Sequence, residues 1–153
     1  MRKILCTVQA EQVGDNHKRA LESALRLHYS SYLSAADKLA IIWCELPSDQ
    51  GFTNFEQPCV SLVVIEAQDG LDQVAREKML SACASDWSKI TGIAMERLMI
   101  SVFDEAQFAV YMAANQRRMS PLGRIRFALH MVASLMRSKT TRGLLVFKPN
   151  LSR

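Results

Sequence analysis

Three histidines, four cysteines and one adjacent pair of arginines are the side chains of this 153-residue chain whose types could do chemistry. Their spacing limits which chemistry. His17, His28 and His130 form no H-x-x-x-H pair and have no acid cluster around them, so a bound metal or other cofactor is not expected. Cys6, Cys44, Cys59 and Cys83 include no C-x-x-C pair, and three of them sit in apolar runs, which reads as buried reduced thiols. Arg117 and Arg118 could clamp an anion or stand in solvent. The remaining reactive group is the α-amine of Met1, placed directly before the apolar alternation Ile4, Cys6, Val8.

The elements that must position these groups follow from periodicity. The first strand is expected over about 2–9, and Val13-Gly14-Asp15-Asn16 breaks it, with Asp15 or Asn16 capping a helix to about Leu33. That helix carries Leu21, Ala24, Leu25, His28 and Tyr32 on one face. Leu39 to Cys44 reads as a buried strand closed by Leu46-Pro47. Val60 to Ala67 is again a strand, Asp72 a cap, 73–90 a helix with Arg76, Leu80, Cys83, Ala84 and Trp87 on its stripe, and Leu98 to Phe103 a closing strand. Moving the first unit forward by 59 residues lays Leu21, Ala24, Leu25 and His28 on Leu80, Cys83, Ala84 and Trp87, and Leu39 and Ile41 on Leu98 and Ile100. The chain is therefore expected to fold as α/β (α+β): two fused β-α-β units, a four-stranded sheet with helices on one face, and a C-terminal helix. The uncovered face invites association with further copies.

Residues 1–105 hold 10 Lys/Arg against 15 Asp/Glu, while 106–153 hold 9 Lys/Arg and no acid. Ser120-Pro121 caps a helix whose stripe is Leu122, Ile125, Leu129, Val132 and Met136, and Gly143 introduces the strand-like run Leu144-Leu145-Val146-Phe147. That stripe reads as core or subunit interface. Membrane-surface and nucleic-acid binding are minor readings, because the polar face is not densely basic and aromatic interleaving stops at Phe127 and Phe147. No signal or membrane-spanning segment is recognisable, so the chain is read as cytoplasmic.

The stretches "ALESALRLHYSSYLSAADKLAIIWCELP", "SLVVIEAQDGLDQ" and "AMERLMISVFDEAQFAVYM" give an element order and spacing that resemble the tautomerase superfamily, within it the cis-3-chloroacrylic acid dehalogenase-like group. The resemblance covers roughly residues 1–118, leaving 119–153 as a basic helix and tail on the same domain or at a subunit interface. It implies homotrimers with a pocket beside the first residue, where an N-terminal proline amine acts as base, acid or nucleophile. Here Met1 and Arg2 stand instead, so the candidate group is a primary amine, with an ordinary pKa of about 7.7–8.0. By the same resemblance His28 falls where the family holds the substrate carboxylate, and the clamping arginines fall at Gln68 and Leu71. The water-orienting tyrosine falls at Val102 and the glutamate near Ala113, with Asp104, Glu105 and Tyr111 as nearby replacements. Hydrolytic dehalogenation is not expected. The candidate site is then Met1 and His28 as catalytic groups, with Gln68, Arg117 and Arg118 binding substrate. Three functions follow: weak tautomerase or hydratase chemistry on a small unsaturated or 2-oxo carboxylate; a silent trimeric anion-binding or scaffold protein; and a basic-tail module for a polyanion.

Overall fold

The computed structural model describes residues 1–47, 60–117 and 119–149. In chain order the elements are β1 (Arg2–Gln9), α1 (Asp15–Tyr32), β2 (Leu39–Leu46), β3 (Ser61–Ala67), α2 (Gln73–Thr91), a 3₁₀ turn (Met95–Arg97), β4 (Leu98–Asp104), α3 (Glu105–Arg117), α4 (Pro121–Arg142) and β5 (Leu145–Phe147). The strand order is β4-β3-β1-β2-β5. Strands β1 and β2 are parallel, as are β3 and β4, and the two units meet antiparallel along β1 and β3. The short run after Gly143 becomes a fifth strand, parallel to β2 at the sheet edge.

Strand alternation sends Ile4, Cys6, Val8, Ile41, Trp43, Val63 and Ile65 to the face covered by α1 and α2, where they pack with Leu21, Leu25, Tyr29, Met79, Cys83 and Trp87. Cys6 and Cys83 are buried free thiols and Cys44 is half-buried, while Cys59 lies outside the described residues. Leu5, Thr7, Ile42, Cys44 and Leu62 on the opposite face stay half-buried. Over that face, α3 sets Tyr111 against Phe103 and α4 sets Phe127 against Phe147.

Two local expectations need correction. The N-cap of α1 is Gly14, which makes no side-chain cap; Asp15 is the first helical residue, its carboxylate drawn to Arg142. On the crossover helices Leu21, Leu25, Cys83 and Trp87 are buried as expected, but Tyr29 takes the place of His28 on α1 and Met79 that of Leu80 on α2. Lys18, Leu21, Leu25 and Tyr29 are buried on α1, and Met79, Cys83 and Trp87 on α2. The helices therefore correspond at an offset of 58 (21 + 58 = 79, 25 + 58 = 83, 29 + 58 = 87), while the strands keep 59. The remaining caps are as the residues imply: Asp72 accepts from the Ala75 N–H at 3.3 Å, and Ser120 from Gly123 at 3.1 Å.

Candidate functional site

Because β1 runs antiparallel to β3, its first residues lie beside the last residues of β3 and β4. Arg2 and Lys3 are thereby brought to Glu66, and to Glu105 at the start of α3. The Arg2 Nη1 lies 2.6 Å from Glu105 Oε2 and 3.6 Å from Glu66 Oε1, with its Nε 3.7 Å from Asp37. Glu66 also accepts from the Lys3 backbone N–H at 3.0 Å and pairs with the Lys3 ammonium at 3.6 Å. Its carboxylate is 8% exposed, so these charge-assisted contacts are what make its burial tolerable.

Tyr29 reaches the same place from α1. Its hydroxyl donates to the Glu66 carbonyl at 3.0 Å and lies 3.4 Å from Asp37. Burial first, and Asp37 second, push the phenol well above its ordinary value, so Tyr29 is a neutral donor and not a base at physiological pH. A cavity of about 490 Å³ adjoins the network, lined by the last turns of α1 and the approach to β2, with Tyr29 and Asp37 belonging to both.

The residues singled out from the sequence are distributed as follows. Met1 precedes β1 and is 81% exposed, so its side chain plugs no cavity; the backbone after it is fixed by the Arg2 N–H donating to Lys38 O at 2.8 Å. His28 sits on the α1–α2 seam, its Nε2 2.8 Å from Asp86 Oδ2 and its ring stacked on Tyr32. Gln68 follows β3 and is exposed. Arg117 ends α3, and Arg118 lies outside the described residues. Among the described residues no group of three His, Cys, Asp or Glu could hold a metal, and no helix is long and apolar enough to cross a membrane.

A second charged cluster occupies the opposite end of the sheet. The Lys18 ammonium, 2% exposed, lies 2.7 Å from Glu45 Oε1 and donates to Val13 O at 2.6 Å. Arg142 at the end of α4 binds both Asp15 and Glu45, and Lys148 lies 3.3 Å from Glu45. Burial alone would raise the Glu45 carboxyl; hydrogen bonds from Arg142 and Lys18 outweigh it and bring the value to about 2. The duplication repeats this pair. Residues 18 + 58 = 76 and 45 + 59 = 104 are Arg76 and Asp104, which also bind each other, with Arg76 donating to Val102 O at 3.0 Å.

These partners were legible in part. Glu45 and Glu66 stand inside the apolar runs "IIWCEL" and "LVVIEA", and a carboxylate in such a run must find a cation. Arg2 and Lys18 carry no comparable mark.

The sequence matches no family model and no curated protein. Solved structures do match in fold. Native Ps01740 superposes with a TM-score of 0.63 at 15% identity, over 67% of this chain and 92% of that one. Native fused 4-OT gives 0.60 at 13% identity, over 67% and 85%. MIF2 of Leishmania major gives 0.56 at 16% identity, over 68% and 88%. Two wild-type fused 4-OT structures are described as asymmetric and symmetric trimers. At these identities the likeness speaks for the fold alone, and by it the chain has a tautomerase-like double β-α-β fold.

Proposed function

We propose that this chain is a divergent, non-proline member of the tautomerase superfamily that works as a homotrimeric scaffold. Its tautomerase or hydratase activity through the Met1 amine is residual at most, and it performs no hydrolytic dehalogenation. One observation carries the reading. The cations at the start of β1, where a substrate carboxylate would be held, are committed to carboxylates of the chain itself: Arg2 to Glu105, Glu66 and Asp37, and Lys3 to Glu66. Arg76 at the same end is tied to Asp104. An incoming carboxylate meets like charge and, among the described residues of this end, no free guanidinium; the Lys38 ammonium on the adjoining cavity has no ion pair among those residues but offers a point charge and no fork. Support for the trimer comes from the fold neighbours described as trimers and from the apolar side chains of the second sheet face, which stay half-buried beneath α3 and α4.

The test uses phenylenolpyruvate ketonisation together with 2-oxo-3-pentynoate, the compound that inactivated the fold neighbour Pt0534. The untagged chain is expected to ketonise the enol at the buffer rate, and to gain no Met1 adduct faster than a short peptide of the same N-terminal sequence. Ketonisation well above buffer, abolished by acetylating the terminal amine, overturns the silent reading and establishes the catalytic one.

A second reading concerns anion binding at the other end of the sheet. A cavity of about 270 Å³ there is lined by His130, Arg137, Arg142 and Lys148 among others, and Arg137 has no ion-pair partner among the described residues. Isothermal titration with inorganic phosphate, compared with an Arg137→Ala variant, tests whether that cation holds an anion.

A further inference from the structure

Helices α3 and α4 have little direct packing between them, and an apolar cavity of about 600 Å³ opens where they face each other near Met119. Met112 lines it from α3, and Ile125, Phe127 and Met131 line it from α4. It shares no lining residue with the two cavities described above. Packed protein leaves few voids larger than a water molecule, and water gains little in a hollow with few polar partners. The volume falls within the range of about 300–1,000 Å³ typical of small-molecule sites.

The lining selects the occupant. Three of the chain's eight methionines meet here, and their unbranched, polarisable side chains suit a flexible chain better than a rigid ring. Phe127 supplies a fixed wall, its ring set edge-on to Phe147 with centroids 5.4 Å apart. Polar chemistry is limited to Asn115 and Arg124. The Arg124 Nε donates to Met119 O at 3.2 Å, which tethers the guanidinium at the cavity, and Arg124 has no ion pair or other hydrogen bond among the described residues. A planar fork left unused fits a carboxylate through two parallel hydrogen bonds. Residues 106–153 hold no acid to compete for it. At 100° per residue Arg124, Ala128 and Met131 share one flank of α4, so the cation and the apolar lining are presented together. That flank adjoins the stripe Leu122, Ile125, Leu129, Val132 and Met136, in which every side chain is more than half exposed.

We propose that this cavity binds the single chain of an alkyl carboxylate, with its methylenes among Met112, Met119, Phe127 and Met131 and its carboxylate on the Arg124 guanidinium. The site goes beyond the scaffold reading, since it takes its ligand on the C-terminal segment and not at the start of β1.

Isothermal titration of the full chain with hexanoate, octanoate and decanoate, each below the concentration at which it forms micelles, tests the proposal. One site per chain is expected, with affinity rising by up to about fourfold for each methylene buried. Arg124→Gln is expected to weaken decanoate about tenfold and to leave decan-1-ol unchanged. Ala128→Trp fills the cavity from an exposed helical position and is expected to abolish binding of both, with circular dichroism checking that it folds. Photolysis of a diazirine-bearing decanoate on the wild type needs no variant: the label is expected on the peptides that carry Met112 and Met131. Absence of saturable binding by the wild type, label confined to other peptides, or an affinity untouched by Ala128→Trp overturns the site. An Arg124→Gln variant that weakens the acid and the alcohol equally, or neither, overturns the carboxylate's place on Arg124. Binding to vesicles of phosphatidylglycerol and phosphatidylcholine without binding of free decanoate makes this face a membrane surface and also refutes the proposal. None of these outcomes bears on trimer formation, so the scaffold reading stands or falls separately.

Discussion

Replacing Glu45 by Gln removes the carboxylate that neutralises a nearly inaccessible ammonium. Lys18 is 2% exposed; it would retain Val13 O and an Asp15 carboxylate 3.7 Å away, while Arg142 would keep only Asp15. Breaking a buried pair by deleting one partner costs about 3–5 kcal/mol, because the other charge stays behind. An independent figure comes from protonation. The Glu45 carboxyl lies at about 2 in the folded chain against an ordinary 4.5, and one pKa unit corresponds to about 1.36 kcal/mol, so the depressed value represents about 3 kcal/mol. A depressed carboxylate contributes fully above its unfolded value and loses that contribution as pH falls through its folded one. The contribution is complete above about pH 5 and about 2 kcal/mol of it is gone at pH 3.

Urea denaturation at pH 7 and pH 3 reads both effects. At pH 7 the Glu45→Gln midpoint is expected about 1.5 M below wild type, for a slope of about 2 kcal/mol per molar. Between pH 7 and pH 3 the variant is expected to lose about 2 kcal/mol less than wild type does. Equal midpoints at pH 7, or parallel losses on acidification, would refute the assignment of Glu45 as the anchor of that cluster.

Tyr29→Phe deletes the hydroxyl that serves the Glu66 carbonyl and is expected to cost about 1–2 kcal/mol in the same denaturation assay. Burial pushes the Cys83 thiol up to about 12 and Cys44 up to about 11, and Cys6 is wholly buried. Iodoacetamide at pH 8, followed by peptide mass analysis, should label all three far faster in urea than in the native chain. Gly143 ends α4 in the left-handed region, with φ of 71°, so Gly143→Ala is expected to lower stability by about 1 kcal/mol even though a Cβ would meet open space.

Strand periodicity and caps made most of the fold readable. "MRKILCTVQ" gave β1 to the residue, and Asp72 and Ser120-Pro121 gave two helix starts. The helical stripes were less readable, because a 59-residue shift fits the strands while the helices need 58. The error put His28 opposite Trp87 instead of Asp86 (28 + 58), to which it is hydrogen-bonded on the seam. Lys18 was invisible for another reason: a lysine in the first turn of a helix reads as solvated, and only the tertiary approach of Glu45 buries it. In the sequence Arg2 is marked only by its place next to Met1. Its engagement depends on three carboxylates from β3, α3 and the approach to β2, which no local pattern brings together.

The internal repeat and the C-terminal segment together explain why the two ends of the sheet differ. Duplication supplies each end with the same kit, a helix cation bound to a strand carboxylate: Lys18 with Glu45, and Arg76 with Asp104. At the Glu45 end the chain adds Arg142 and Lys148, which raises the local count of cations. At the Asp104 end it adds Glu105, Glu66 and Asp37 around Arg2, which raises the count of acids. A near-symmetric fold thus becomes electrically polar along its strands. Arg2 and Lys3 at the β1 start are spent inside the chain, while Arg124, Arg126, Arg137 and Lys139 beside the exposed stripe of α4 have no ion-pair partner among the described residues, and neither have Arg19, Lys38, Lys78 and Arg97 elsewhere. The field at the start of β1 is consequently set by the chain's own carboxylates, and that at the opposite end of the sheet by its cations.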